Sequence, residues 1–140
     1  MTLPEIPATK VELSVSGYLA TSIAVTVARV LARQKPKRIK ATLAHLRTGA
    51  RPATIGEAQH ARDSVLTVSP RCSGEQACLQ RSIASVLLCR MRGVTPTWCV
   101  GVLAAPPFAA HAWIEAEGRS IGEQLDSTCY RRLIEVGPAR

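Results

Sequence analysis

The sequence predicts an α+β domain, with helices in its first half and an antiparallel sheet in its second. Two observations carry this. Apolar residues recur at near-helical spacing from Tyr18 to Leu31 and again after Cys78, with helix start and stop signals between them. After Gly93 the period shortens, and apolar runs of strand length alternate with turn signals at Pro106-Pro107 and Glu117-Gly118. At 140 residues, 46% of them apolar, the chain has enough material for one hydrophobic core. We therefore expect a single domain over 1–140, with a helical, basic part (1–68) and a cysteine helix plus antiparallel strands (69–140).

Each element has a local reason. Tyr18, Ile23, Val27, Val30 and Leu31 mark a first helix, which Pro36 breaks. Leu13 to Ala28 is uncharged but too short and too rich in Ser and Thr for a membrane span, so it reads as a buried helix. A basic second helix runs from about Lys37 to Leu46 and stops at Gly49. Thr54 and Glu57 have capping-box spacing and start a third helix, which Pro70 closes off. Ser73 and Gln76 have the same spacing and would open a fourth, with Leu79, Ile83, Val86 and Leu87 as its stripe and Gly93 as its cap. Strands follow at 97–103, 109–116, 120–124 and 130–136, read as a meander.

The charge of +8 is uneven. Eight positive residues and no acid lie between Arg29 and Arg51. Such a run suits an acidic peptide, an acidic protein surface or nucleic acid, or is simply a solvated helix face. No aromatic residues interleave with it, so a base-stacking platform is not expected. The start MTLPEIPATKVEL lacks the basic residues and short apolar core of a secretory leader. With five cysteines, an odd number, free thiols in a reducing, cytoplasmic setting are the expectation. No C-x-x-C pair is present, and no metal site is expected.

The chemistry gathers on Cys78, His111 and an acid. A thiol becomes a good nucleophile only as thiolate. A helix N-terminus favours the anion, an imidazole takes the proton, and a carboxylate orients the imidazole. Cys78 lies in the early turns of the fourth helix, His111 on the second strand, and Glu123 and Asp126 beyond. Cys72, Cys89, Cys99 and Cys129 read as small core residues, and His45 and His60 as solvated. Glu115, Glu117 and Glu135 read as surface or hairpin charges. The hairpin register bears on the acid. A three-residue loop, Ala116 to Gly118, pairs His111 with Glu123; a two-residue loop sets it against Gln124, with Asp126 one pair on. The first makes better cross-strand pairs, so Glu123 is the first choice and Asp126 the reserve. Catalysis on this scheme requires the His111, Trp113, Glu115 face of the strand to meet the cysteine helix, with the alanine face covered by something else.

From about Arg51 to Glu123 the chain resembles the lasso-peptide leader peptidases, small transglutaminase-like, papain-related proteins. The matching text is RPATIGEAQHARDSVLTVSPRC, CLQRSIASVLLCRMRG, TWCVGV, PPFAAHAWIEAEG and IGE. The resemblance implies a papain-like core with N-terminal helices and an antiparallel sheet, a nucleophile at Cys78 and a base at His111. The family's acid, often aspartate, falls on Glu123. It further implies removal of a leader from a ribosomally made precursor, delivery of that leader by a separate recognition-element protein, and a downstream lasso cyclase as partners. No cofactor, nucleic acid or membrane is implied. The basic stretch 29–51 would dock the recognition protein or the leader. Two other readings stay open: a transglutaminase-like acyltransferase and a non-catalytic basic adaptor.

Overall fold

In the computed structural model, residues 10–73, 77–123 and 127–138 are described. Four helices come first in the chain: α1 (Val15–Leu31), α2 (Pro36–Leu46), α3 (Ile55–Val68) and α4 (Cys78–Met91). Six strands lie among and after them: β1 (Arg51–Pro52), β2 (Val94–Thr95), β3 (Thr97–Leu103), β4 (Ala110–Ala116), β5 (Arg119–Ser120) and β6 (Tyr130–Val136). The predicted α+β class is the observed one.

Pro36 does more than break a helix. α1 ends before it, and Pro36 opens α2 as its first residue, where a missing N–H costs nothing. The capping box of α3 forms in both directions, Thr54 Oγ1 accepting from Glu57 N–H at 3.1 Å and Glu57 Oε1 from Thr54 N–H at 3.0 Å. The second expected box does not start α4. Ser73 lies in a short 3-10 turn (Pro70–Ser73), Gln76 falls outside the described residues, and the cap position is Ala77, which has no side chain to donate or accept. α4 thus begins at Cys78 itself. Gly93, at φ 85°, closes its far end.

The main sheet has the order β5-β4-β3-β6, all antiparallel, so it is not a meander. β5 makes only two pairs and offers no edge long enough for the last strand. The seven residues of β6 take the vacant side of the seven-residue β3 instead. Gly101 marks a register shift in that pairing, and a Cβ there would sit 2.6 Å from the Arg131 carbonyl oxygen. A small parallel pair, β1 with β2, escaped the sequence reading because each strand is two residues long.

α4 lies at the centre of the molecule. Every residue from Arg81 to Cys89 is buried. Ile83, Leu87 and Leu88 join Ile114, Ala116, Trp98 and Val136 of the sheet in one core with α1, α2 and α3. The other face of the sheet holds a smaller cluster of Cys99, Trp113 and Tyr130. α1 is not the buried helix expected. Thr21, Ala24, Val25 and Ala28 face the core, while Val15, Tyr18, Leu19, Ile23, Val27 and Val30 are exposed. The small residues permit close approach to the neighbouring helices, and most of the large ones are left outside.

Candidate active site

Cys78 is the first residue of α4, so the opening turn leaves backbone N–H groups with no capping side chain, and the helix dipole there favours a negative sulfur. The thiol is hydrogen-bonded to the His111 imidazole and to the backbone N–H of Ala112. Burial pushes its pKa up, but the imidazole, the Ala112 N–H and the charge of Arg81 outweigh burial and hold it below its ordinary value. His111 Nε2 is hydrogen-bonded to Glu123 Oε1, which leaves Nδ1 as the nitrogen for sulfur. Burial lowers the His111 pKa, yet its bonds to Cys78 and Glu123 raise it to about 9. The two shifts together favour a thiolate facing an imidazolium.

The route to this arrangement differs from the expected one. The hairpin has the two-residue loop, with Glu115 opposite Ser120 and Ala116 opposite Arg119. Glu117 (φ 52°) and Gly118 (φ 78°) both take left-handed backbone, the turn whose twist suits a hairpin. In that register a continued strand would carry Gln124 to His111. The strand does not continue. After Ile121 N–H bonds the Ile114 carbonyl, Gly122 turns at φ 71° and brings Glu123 to the imidazole. The guanidinium of Arg62, buried in α3, fills the space a side chain at 122 would need. Asp126 lies outside the described residues.

The expected choice of faces is also reversed. Ala112, Ile114 and Ala116 are buried on the α4 side, whereas His111 stacks with Trp113 and Tyr130 on the opposite side. Sulfur and imidazole meet around the edge of β4. In an antiparallel strand alternate residues present N–H and C=O to the same neighbour, so Ala112 and Ile114 both face the β5 side. β5 is too short to reach Ala112, and the sulfur of Cys78 takes that N–H instead.

Other residues hold the imidazole, and several were not singled out from sequence. The ring centroids of Trp113 and Tyr130 lie 6.1 and 5.5 Å from that of His111. Trp113 Nε1 donates to Glu115 Oε2 at 2.8 Å, and Arg132 pairs with the same oxygen at 2.7 Å. Glu115 is therefore a buried structural acid, not a surface charge. Alternation places it beside Trp113, but its partner comes from β6, whose position the sequence did not reveal. Arg81, buried one turn into α4, donates to the Cys72 carbonyl at 2.8 Å. Cys72, Cys89 and Cys99 are buried as expected; Cys129 is exposed, because it closes a short 3-10 turn before β6. All five are free thiols. His45 and His60 are exposed.

No three His, Cys, Asp or Glu side chains cluster as a metal site would require, and no helix is long and apolar enough to cross a membrane, both among the described residues. The arrangement can do nucleophilic chemistry at a carbonyl: an anionic sulfur, a proton donor beside it, and a carboxylate that orients the donor. Comparison with curated proteins and with solved structures returned no match. A sequence model described as "Transglutaminase-like superfamily" matches residues 21–135, which takes in α3, α4, Cys78, His111 and Glu123 and most of α1. The chain belongs to the transglutaminase-like superfamily.

Proposed function

We propose that this protein is a cysteine peptidase that removes the leader from a ribosomally made lasso-peptide precursor, with Cys78 as nucleophile, His111 as acid and base, and Glu123 orienting the imidazole. The observation that carries the catalytic part is the hydrogen-bonded chain Cys78–His111–Glu123 at the head of a buried helix. The choice of substrate rests on the CLQRS and PPFAAHAW segments that resemble the leader peptidases.

In the proposed reaction the Cys78 thiolate attacks the scissile carbonyl carbon, and the carbonyl π electrons move to oxygen. The Cys78 backbone N–H is one donor to that oxyanion. As the intermediate collapses, the C–N bond breaks and His111 gives its proton to the departing core amine. Water then attacks the thioester, His111 takes a proton from it, and the thiolate leaves. The products are a leader carboxylate and a core peptide with a free amine, the group a cyclase consumes. The partners in this reading are the leader, a recognition-element protein that delivers it, and the cyclase, all in the cytoplasm. Five free thiols suit that reducing setting.

The superfamily's name favours one other reading, in which an amine replaces water in the second step. One experiment addresses both. The protein is incubated with a lasso-peptide precursor and a recognition-element protein, and products are weighed by mass spectrometry for wild type and Cys78→Ala. We expect one cut with gain of water in wild type and none in the variant. Full cleavage by Cys78→Ala removes the thiol mechanism, and an amine adduct selects acyl transfer. A non-catalytic adaptor would leave Cys78 inert; iodoacetamide should instead alkylate it quickly at neutral pH, and His111→Ala should slow this.

A further inference from the structure

We propose that the outer face of α1, with the cationic residues just beyond its end, is a docking surface for an acidic partner protein that presents an amphipathic helix. The proposal stands independently of the peptide-cleavage reading.

Five aliphatic side chains form the face: Val15 (80% exposed), Leu19 (57%), Ile23 (56%), Val27 (46%) and Val30 (60%). At 100° per residue all five fall within one third of the helix circumference, with Tyr18 about 60° outside it. Residues 15, 19, 23 and 27 make an unbroken i, i+4 row about 18 Å long at 1.5 Å rise, the kind of ridge that packs into the groove of another helix. Two exposed polar residues, Ser16 and Thr26, share the strip; Thr26 Oγ1 donates to the Ser22 carbonyl and Ser22 Oγ to the Tyr18 carbonyl, each at 2.9 Å, which satisfies those hydroxyls within the helix. Arg29, the one charge in α1, reaches away to Ser69 Oγ at 3.2 Å. A mainly aliphatic strip of this extent is unusual on an unpartnered surface.

Charge identifies the partner. From Leu13 to Gly56 the sequence has no acidic residue, and Arg33, Lys35, Lys37 and Arg38 follow immediately after the ridge, all exposed. A partner that covers the ridge therefore meets positive charge at one end, and its complement is acidic. A second copy would bring its own net charge of +8 against this one. A lipid surface is the poorer fit because the face has no Trp or Phe to anchor at an interface.

The test uses the full chain and two labelled synthetic helices that share a leucine ridge, one with glutamate and the other with lysine at the remaining positions, read by fluorescence anisotropy. The glutamate helix should bind, more weakly as salt is raised, and the lysine helix should not. Leu19→Glu/Ile23→Glu should lose binding. Lys37→Glu/Arg38→Glu/Lys40→Glu, which leaves the ridge intact, should weaken it by about tenfold. Circular dichroism of each variant checks the fold. No binding, equal binding of both helices, or binding unchanged by the substitutions would overturn the proposal. So would a wild-type dimer in sedimentation that the ridge variant disperses, or flotation with phosphatidylcholine/phosphatidylserine vesicles that it abolishes.

Discussion

α1 and α4 have similar apolar content and opposite fates. α4 is enclosed over nine consecutive residues, so even Arg81, Ser82 and Ser85 are buried and must find partners inside the protein. Ser82 Oγ accepts from Trp98 Nε1 at 3.0 Å, and Ser85 Oγ donates to the Arg81 carbonyl at 2.8 Å. α1 meets the core mainly through Thr21, Ala24, Val25 and Ala28 and turns most of its large side chains outward. Helical periodicity identifies a face; whether a neighbour covers it depends on packing elsewhere in the chain. The difference also divides labour: α4 fixes the sulfur of Cys78 at its head, and α1 has a surface to spare.

Substitutions can break or sharpen this contrast. The largest effect is expected at the head of α4. His111→Ala should cut the rate of precursor cleavage on the order of a thousandfold, the scale of lost acid–base catalysis, in single-turnover assays. Within α4, Leu88→Ala should cost about 2–5 kcal/mol in urea unfolding, because the side chain is fully buried and the site cannot refill. Gly122→Ala should lower kcat by about a hundredfold with little change in KM. Left-handed backbone and the Arg62 guanidinium both oppose the added methyl group, and displacement of Glu123 misorients the imidazole.

A smaller effect concerns pH. The kcat/KM profile should rise as Cys78 ionises, below its ordinary range, and fall as His111 loses its proton near pH 9. Glu123 is one of the groups that raise the His111 pKa, so Glu123→Gln should move the falling limb to lower pH. The raised imidazole pKa also stabilises the fold. That contribution is fully present below His111's unfolded pKa of about 6.5 and is lost as pH rises through about 9. The smallest effect belongs to α1. Ile23→Ala should change unfolding free energy by no more than about 0.5 kcal/mol, in contrast to Leu88→Ala.

The helices and the strands β3 and β6 were legible because local signals carried them: the Thr54/Glu57 box, the glycine after α4, and runs of strand length that match 97–103 and 130–136 to the residue. The strand order was not legible, since nothing local tells β6 to pass β5 and pair with β3. The proximity of Cys78, His111 and Glu123 was anticipated, but on a mistaken register and the wrong face of β4. Pairing arithmetic assumes that strands continue, and Gly122 ends β5's line after two pairs. The aromatic walls around the imidazole escaped notice because Tyr130 arrives from a strand placed by topology alone.

The early end of β5 has a consequence for how this hairpin can evolve. Three more paired residues would satisfy the Ala112 amide with a carbonyl, straighten the path of Glu123 and seal the gap through which sulfur reaches the ring. A tidier sheet would be a dead enzyme on the proposed chemistry. Selection on the segment after Ser120 should then act on its brevity, tolerating changes of side chain more readily than the regular β-pairing that ordinarily strengthens a sheet.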